Sequence, residues 1–195
     1  RAVIAIQNSR LFNETREALE LQKASADVLG VISQSMGDAA PVLDAILDKC
    51  EQLIDDATGS SISLIGEDGL VHLKHFRLSR MALAFDASPA EADKLVQRLR
   101  NPPPEPLAGS TVERVLQAGH PLVYRDVAND PGVPERLVNV TRLAGRNSGL
   151  IAIPLIKDGR GLGMIGVSRH RLDGFSDKEI ALLQTFADQA VVAIE

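Results

Sequence analysis

Residues 1 to 36 carry the pattern of one long helix. They contain no proline and a single glycine, Gly30, and helix-favouring residues predominate among them. At about 1.5 Å per residue this helix would be on the order of 50 Å long, more than one small domain can cover. In the heptad pattern one core row is mostly apolar and the other mostly polar: Ile4, Leu11, Ala18, Ser25 and Ile32 against Asn8, Thr15, Gln22 and Leu29. The pattern predicts a weak coiled-coil seam, and an amphipathic helix packed on its own domain is the alternative.

Residues 37 to 195 mix helix and strand patterns and form a second unit. Apolar residues at helical spacing predict helices over 42–57, 89–100, 111–118 and 177–195. Apolar runs bounded by turn residues predict strands over 61–65, 70–76, 121–124, 150–156 and 162–169. The proline-rich run 102–106 and the segment 125–147 are predicted as loops. Because the order lacks the regular alternation of parallel sheets, it favours an α+β fold with an antiparallel sheet and helices packed on it.

The two ends of the chain resemble each other. Residues 2–7 (Ala-Val-Ile-Ala-Ile-Gln) reappear almost unchanged as residues 190–195 (Ala-Val-Val-Ala-Ile-Glu). Both stretches belong to long predicted helices, which indicates a tandem array in which residues 1–36 finish one module and lead into the next. The last helix carries an unbroken apolar row, and further apolar residues lie at other angles; the row is Ile180, Leu183, Ala187, Ala190 and Ile194. So wide an apolar arc needs two partners, which we expect to be its own sheet and a second chain.

The composition is that of an ordinary globular domain, with 45% apolar and 24% charged residues among 195. No apolar run is long enough to cross a bilayer, so we expect a cytoplasmic protein without membrane contact. The net charge of −5 and only six aromatic residues argue against a nucleic-acid partner. The single cysteine, Cys50, excludes an internal disulfide and a cysteine-based zinc site within one chain. Its place in an apolar helical stripe predicts a buried hydrophobe.

No catalytic or metal site is predicted. Gly161, Gly163 and Gly166 have the spacing of a dinucleotide fingerprint, but that fingerprint needs a helix start directly behind it, and none precedes Ser176. The four histidines never take metal-ligand spacing on one helix. No nucleophile can be paired with a base. We therefore expect a protein that is not an enzyme.

Charge is unevenly distributed along the chain. From Arg98 to Arg171 there are eleven basic and six acidic residues, a net charge of +5 within a chain of net charge −5. The middle of the chain can therefore attract an anion that the whole would repel.

Several short motifs follow one another at regular distances through the second unit. They are Gly109-Ser110-Thr111-Val112 with residues 114–122, Asp126-Val127 with Asp130-Pro131, residues 152–155, Asp158-Gly159, residues 163–167, and Phe175-Ser176-Asp177 before residues 182–187. In this order and spacing, residues 40–195 resemble a GAF domain, the sensory module of cyclic-nucleotide phosphodiesterases, phytochromes and many bacterial sensors. Residues 1–36 resemble the end of a preceding GAF copy with its signalling linker, a layout common in multidomain sensor histidine kinases and nucleotide cyclases.

The resemblance implies a six-stranded antiparallel sheet with helices on its faces and a pocket between the sheet and the loop-rich middle segment. Cyclic-nucleotide-binding members carry an Asn-Lys pair, a Phe and an Asp-Glu pair. This chain has Ser168-Arg169, Phe175 and Glu179-Ile180 there, so only the phenylalanine is retained. Bilin attachment needs a suitably placed cysteine and methionine-sulfoxide reduction at least two, whereas Cys50 lies alone on the first domain helix. The cofactor stays open.

The candidate pocket residues follow from the resemblance together with the basic middle segment. Arg125, Arg142, Arg146 and Arg169 flank the implied pocket region, which predicts a small anionic or polar ligand. A solvated basic surface is the alternative for each of them. The candidate ligand-binding residues are Tyr124, Arg125, Asp126, Arg142, Arg146, Ser168 and Arg169.

We expect a sensory or regulatory module that dimerises through its terminal helices and relays the state of its pocket along them. The polar row leaves the seam only marginally stable, so ligand binding can tip the balance between two helix arrangements. The dimer-forming positions are Ile4, Leu11, Ala18, Leu29 and Ile32 in the first helix and Ile180, Leu183, Ala187, Ala190 and Ile194 in the last. The expected partners are a second copy, a preceding GAF copy and a following output domain. A structural dimerisation spacer without a ligand is the alternative.

Overall fold

Helices and strands are mixed along the chain. The computed structural model of the protein describes residues 2–34, 38–78 and 89–194, and the domain boundary predicted between residues 36 and 37 lies outside them. The described elements are α1 (Ala2–Gln34), α2 (Ala40–Leu53), β1 (Ala57–Ile65), β2 (Leu70–Leu78), α3 (Pro89–Arg100), β3 (Glu105–Pro106), α4 (Thr111–Ala118), β4 (Leu122–Tyr124), α5 (Glu135–Leu143), β5 (Gly149–Lys157), β6 (Arg160–Arg169) and α6 (Asp177–Ala193).

The strands form one six-stranded sheet in the order β3-β2-β1-β6-β5-β4, with every neighbouring pair antiparallel. This confirms the predicted α+β fold. Because side chains alternate along a strand, each face of the sheet has its own character. One face carries branched apolar residues and packs against α2 and α6, on which α1 lies, and together they form the main core. The sheet residues of this core include Ile62, Ile151, Ile153, Ile165 and Val167. The opposite face lies beneath α3, α4 and α5.

The helix boundaries that rest on capping chemistry are those that the sequence predicts. Ser110 accepts a hydrogen bond from the backbone of Glu113 to start α4, and Gly119 ends it with a left-handed backbone (φ 68°). Ser176 and Glu179 form a reciprocal capping box at the start of α6. Local hydrogen bonds decide these ends, so the residue types alone were sufficient to locate them.

Several boundaries differ from the prediction, most of all at the end of α2, at the start of β1, which is Ala57 and not residue 61, and in the proline-rich run. α2 ends at Leu53, not at residue 57, because Ile54 is extended and Asp56 has a left-handed backbone (φ 58°) that turns the chain into β1. The proline-rich run contains the two residues of β3, which pair with β2 at the sheet edge. An edge strand tolerates Pro106 because its missing N–H is not needed for a second neighbour.

A helix, α5, lies in the segment that was predicted as loop. It has nine residues, includes Asn139 and Thr141, and begins after Pro134 without a side-chain cap. Two turns of modest helix propensity give a weak pattern in the sequence. Packing of Leu137 and Val138 against buried residues of the neighbouring cluster stabilises it instead.

The C-terminal half of α1 packs on its own domain. Leu21, Ala24, Val28 and Val31 recur three and four residues apart and contact the core between α2 and α6. Two ion pairs accompany this contact, Lys49 with Asp27 and Lys178 with Glu17, each at 2.8 Å. The N-terminal half extends beyond the domain. The alternative of a helix packed on its own domain therefore holds for the C-terminal half. The coiled-coil seam stays a prediction for the N-terminal half, whose apolar residues are exposed.

Gln189 places an unsatisfied polar atom in the contact between α6 and α1. Its side chain is 7% exposed; Nε2 donates to Ser25 Oγ at 2.7 Å, whereas Oε1 has no partner among the described residues. A buried unpaired acceptor costs about 1–3 kcal/mol, more than the roughly 0.5–1.5 kcal/mol that one neutral hydrogen bond contributes. This side chain therefore weakens the contact that it occupies.

We expect Gln189→Met to raise the free energy of unfolding by about 1 kcal/mol, because it removes the unpaired oxygen and keeps the volume. Urea denaturation followed by circular dichroism measures it. Gln184→Met on the exposed side of the same helix is the matched control and should leave the free energy unchanged. A Gln189→Met protein less stable than wild type would contradict the prediction.

Candidate functional site

A cleft lies between the second face of the sheet and helices α3 and α5. It has a larger chamber of about 420 Å³ and a smaller one of about 140 Å³. The two chambers share wall residues, so they form one continuous cleft; the shared residues are Ser61, Phe76, Leu99, Leu137 and Val140. Strands supply the floor, whereas Leu99 of α3 with Leu137 and Val140 of α5 supplies the roof.

The floor of the cleft consists of small residues on two paired strands. Ser61 of β1 pairs with Gly166 of β6, and Ser63 pairs with Met164. Ile62 between the two serines points into the core on the other face. A Cβ on Gly166 would lie 3.0 Å from Ser61 Oγ, so the absence of a side chain there keeps the floor open.

The larger chamber is mainly apolar. Branched, aromatic and proline side chains form most of its wall: Val71, Leu73, Phe76, Leu99, Pro102, Pro103, Val112, Pro134, Leu137, Val140, Leu143 and Met164. At its rim Arg136 Nε lies 3.1 Å from Glu105, and Arg136 also donates to the Pro103 carbonyl at 2.9 Å. Burial raises the pKa of Glu105, and the nearby Arg136 opposes that rise. These two charges offset each other.

The accessible wall of the smaller chamber is mostly apolar as well, but several polar side chains take part in it. Its polar wall consists of Thr58, Ser60, Thr141, Ser148 and Ser168 together with Arg146 and His170. The Ser168 hydroxyl donates to the Gly59 carbonyl at 3.3 Å and lies 3.3 Å from Thr58 Oγ1. Within the part of the chain that the structure describes, no acidic side chain lines this chamber.

Arg169 points away from the cleft although its neighbours Ser168 and His170 line it. It is 3% exposed and pairs with Glu179 at 2.8 Å and Asp173 at 3.4 Å. Its guanidinium also lies over the Phe175 ring, 4.2 Å from the centroid. Strand alternation explains the difference, since adjacent residues of β6 point to opposite faces. Arg169 therefore has a structural role and does not line the cleft.

Of the seven candidate pocket residues, Arg146 and Ser168 line the cleft. Arg125 and Arg142 are exposed outside it. Tyr124 is buried under the α5 segment beside Val127 and Val133, and burial raises its pKa. The carboxylate of Asp126 accepts hydrogen bonds from Asn147 and Asn129, which lower its pKa and hold the loop before α5.

The sequence reasoning missed the central residues of the cleft, namely Ser61, Ser63, Phe76, Leu99, Leu137 and Val140. One signal was available in β1, where serines alternate with Ile62 along the strand. When hydroxyl side chains occupy one face of a strand and apolar side chains the other, the hydroxyl face is expected to line a polar cavity and not a second hydrophobic core.

The candidate dimer positions divide between the two helices. Ile4, Leu11, Ala18 and Leu29 are exposed on α1, while the side chain of Ile32 lies outside the described residues. On α6, Leu183, Ala187 and Ala190 are buried, and Ile180 and Ile194 are partly buried against the same core. The core of its own domain therefore covers most of this row of α6, and its role in a dimer stays a prediction.

The cysteine and the glycine motif singled out in the sequence belong to the core and to a strand. Cys50 is buried in the core, and desolvation raises the pKa of its thiol to about 12. The three glycines with fingerprint spacing lie within β6, not before a helix. Among the described ranges no three His, Cys, Asp or Glu side chains gather as a metal site. No helix there has the length and apolar content to span a bilayer.

A family profile and similar solved structures agree on one domain type. A sequence profile of the GAF domain matches residues 38–195, while no curated protein matches the sequence. A GAF domain from a Coxiella burnetii phosphoenolpyruvate-protein phosphotransferase is similar in structure, at 17% identity and a TM-score of 0.65 over 91% of this chain and 94% of that one. A GAF domain/HD domain protein from Geobacter sulfurreducens is similar at 15% identity and a TM-score of 0.61 (82% and 94% covered).

An enzyme has the same fold. Free methionine-R-sulfoxide reductase from Neisseria meningitidis, solved in complex with its substrate, is similar at 14% identity and a TM-score of 0.64, with 91% of this chain and 89% of that one covered. At such identities these similarities show the fold, and function has to be argued from the residues of the cleft.

Proposed function

The chain belongs to the GAF domain family, whose members are sensory and regulatory modules of signalling proteins, and on this premise we propose that it senses a small molecule in its cleft. In this proposal the occupied cleft alters the position of α6 and α1, and a dimer of the chain passes the change on. The cleft offers a concave, partly apolar site with a few polar groups at one end, as small-molecule sites do.

One observation carries the proposal: successive residues at the end of β6 and directly after it connect the cleft to α6. Ser168 and His170 line the smaller chamber, while Arg169 between them is paired with Glu179 on the other face. Glu179 also belongs to the capping box that starts α6. A shift of this strand end toward a ligand therefore moves the charged partner of the α6 N-terminus.

The contact continues from α6 to α1. Lys178, next to Glu179, pairs with Glu17 of α1, and farther along α6 the side chain of Gln189 donates to Ser25. Both links join polar groups, and the second leaves one oxygen without a partner among the residues that the structure describes. A contact of this kind supports two arrangements of similar free energy better than a fully apolar one does.

The exposed face of α1 supports a dimer with a second copy. Ile4 is 62%, Leu11 59% and Phe12 69% exposed, and Leu19 and Leu29 add to the same patch. At 100° per residue this patch turns away from the stripe that packs on α2 and α6. Exposed apolar residues repeated along one side of a long helix are a surface that a paired helix can cover.

We expect the double substitution Leu11→Glu and Phe12→Glu to raise the dimer dissociation constant at least about a hundredfold, because it places charges in an apolar seam. Sedimentation equilibrium measures the constant, and circular dichroism checks that α1 remains helical. The matched control is the double substitution Arg10→Glu and Glu14→Arg, which keeps charged residues at two exposed positions of α1. A wild-type chain that stays monomeric at high micromolar concentration would overturn the dimer.

The relay itself is tested with a ligand from a thermal-shift screen of small organic molecules. The bound ligand should change the dimer dissociation constant of the wild-type chain. Lys178→Ala, which removes the ion pair to Glu17, should keep ligand affinity and lose most of that change; Lys23→Ala at an exposed site of α1 is the control. A ligand that binds without altering dimerisation would leave a sensor without this relay. A cleft that binds nothing would favour a structural spacer.

The single cysteine favours regulation over reductase chemistry. A thiol that attacks a sulfoxide must be accessible and partly ionised, whereas Cys50 is buried and its pKa is about 12. It also lies in the core on the opposite side of the sheet from the cleft.

A further inference from the structure

Two buried hydroxyl groups in the cleft have hydrogen-bonding capacity that the described protein does not use. Resting on the proposed sensory function, we propose that the cleft binds an uncharged, mainly apolar small molecule that carries hydroxyl or carbonyl groups at two places. One of these groups bonds to Ser63 in the larger chamber, and the other bonds to Thr141 in the smaller one.

The hydroxyls of Ser63 and Thr141 are buried at separate points of the cleft. Ser63 is 9% and Thr141 6% exposed, and neither hydroxyl makes a hydrogen bond with another residue that the structure describes. Ser63 lines the larger chamber on the sheet side, and Thr141 lines the smaller chamber on α5. Each hydroxyl can donate one hydrogen bond and accept others. A bound molecule that supplies these bonds at both points therefore gains affinity from them.

The wall between these two points is mainly apolar. Phe76, Leu99, Leu137 and Val140 belong to the walls of both chambers, so they surround the centre of the cleft. The larger chamber, at about 420 Å³, is within the range of small-ligand sites. Burial of apolar surface is the main favourable contribution that such a wall can make to binding. The body of the ligand is therefore apolar, with the size of a single ring and a short chain.

The charged side chains along the cleft do not call for a charged ligand. Arg136 and Glu105 pair with each other at 3.1 Å. Arg146 and His170 already interact within the protein, the latter through Nδ1 at 3.1 Å from a backbone carbonyl oxygen, and Arg98 is exposed to solvent. An ion that enters this cleft loses its water and has to compete with these existing contacts for a counter-charge. A neutral molecule has no such cost.

A matched series of probes tests the charge. We would titrate the full ¹⁵N-labelled chain at pH 7 with 3-(4-hydroxyphenyl)propan-1-ol, whose two hydroxyls lie at opposite ends of one ring and chain. The corresponding propanoate and propylamine keep the body and the ring hydroxyl but carry a charge. Amide chemical shifts should show binding of the alcohol, with changes that include Gly166 on the cleft floor. Both charged probes should bind at least about a hundredfold more weakly.

Two variants test the hydroxyl contacts. Ser63→Ala and Thr141→Val each remove one hydroxyl and nearly keep the volume, so each should weaken binding of the alcohol roughly two- to tenfold. Thr185→Val makes the same change on the exposed side of α6, away from the cleft, and should bind as wild type does. Circular dichroism checks that all three variants are folded.

The probe 3-phenylpropan-1-ol, which lacks the ring hydroxyl, gives an independent measure of the two-point contact. It should bind the wild-type chain roughly two- to tenfold more weakly than the two-hydroxyl probe. It should also lose affinity in only one of the two cleft variants, because it has one group left to bond. Equal losses in both variants would contradict separate contacts at the two points.

The outcomes separate this inference from the proposed function. A charged probe that binds as tightly as the alcohol overturns the uncharged class, and full affinity in either cleft variant overturns the two-point contact. No binding of the alcohol at millimolar concentration overturns the ligand class, while a ligand of another class from the wider screen still tests the sensor. Binding that depends on Ser63 and Thr141 but leaves the dimer unchanged supports the ligand class and contradicts the relay.

Discussion

Arg169→Met is expected to lower the free energy of unfolding by about 3 kcal/mol. The guanidinium is nearly fully buried and is the partner of Glu179, which is itself only 18% exposed. Removing one member of a buried ion pair leaves the other charge without compensation, which typically costs 3–5 kcal/mol. We place the loss at the lower end because the Glu179 carboxylate keeps its hydrogen bond from the Ser176 backbone.

Guanidinium chloride denaturation measures this loss, and a neighbour provides the control. Arg171 pairs with the same Asp173 but is exposed, so Arg171→Met should unfold close to wild type. Equal losses of stability in the two variants would mean that the buried Arg169–Glu179 pair does not attach the end of β6 to α6. The relay proposed through that pair would then be contradicted as well.

Gly163→Ala is expected to cost at least about 3 kcal/mol or to prevent folding. Gly163 lies in β6 opposite Leu64 of β1, where a Cβ would overlap the Ser63 carbonyl oxygen and lie 2.9 Å from the Leu64 Cα. Both obstacles are backbone atoms in the middle of the sheet, and backbone cannot rotate aside as a side chain can. The strands would have to separate locally and lose ladder hydrogen bonds.

Gly161→Ala is the matched control two residues earlier. Its Cβ would meet only the end of the Leu116 side chain, which can change rotamer, so we expect a loss of about 1 kcal/mol. Thermal denaturation compares the two proteins, and the soluble yield serves where Gly163→Ala does not fold. A Gly163→Ala protein as stable as Gly161→Ala would show that the strands approach less closely than the structure indicates.

The sequence predicted those parts of the fold that local chemistry decides. Ser110, Gly119 and Ser176 mark helix ends through their own hydrogen bonds or backbone freedom, and the strand patterns located the sheet. Family resemblance added the number of strands. These features depend on residues close together in the chain, so a sequence pattern records them.

The site was predicted less well because it depends on which face each residue occupies. Ser168 and Arg169 are neighbours and both polar, yet Ser168 lines the cleft and Arg169 pairs with Glu179 of α6. Arg125 and Arg142 have the right charge in the right segment but lie outside. Their positions follow from α5, a short helix that tertiary packing stabilises, and from strand register, neither of which composition reveals.

The alternation of Ser61, Ile62 and Ser63 along β1 has a consequence for how such a module diversifies. The isoleucine contributes to the core, and the serines face the ligand side, so recognition and stability are encoded at separate positions of one strand. A substitution at either serine reshapes the binding surface without removing a methyl group from the core. Single substitutions at these serines can therefore change which ligand the domain recognises while the fold remains stable.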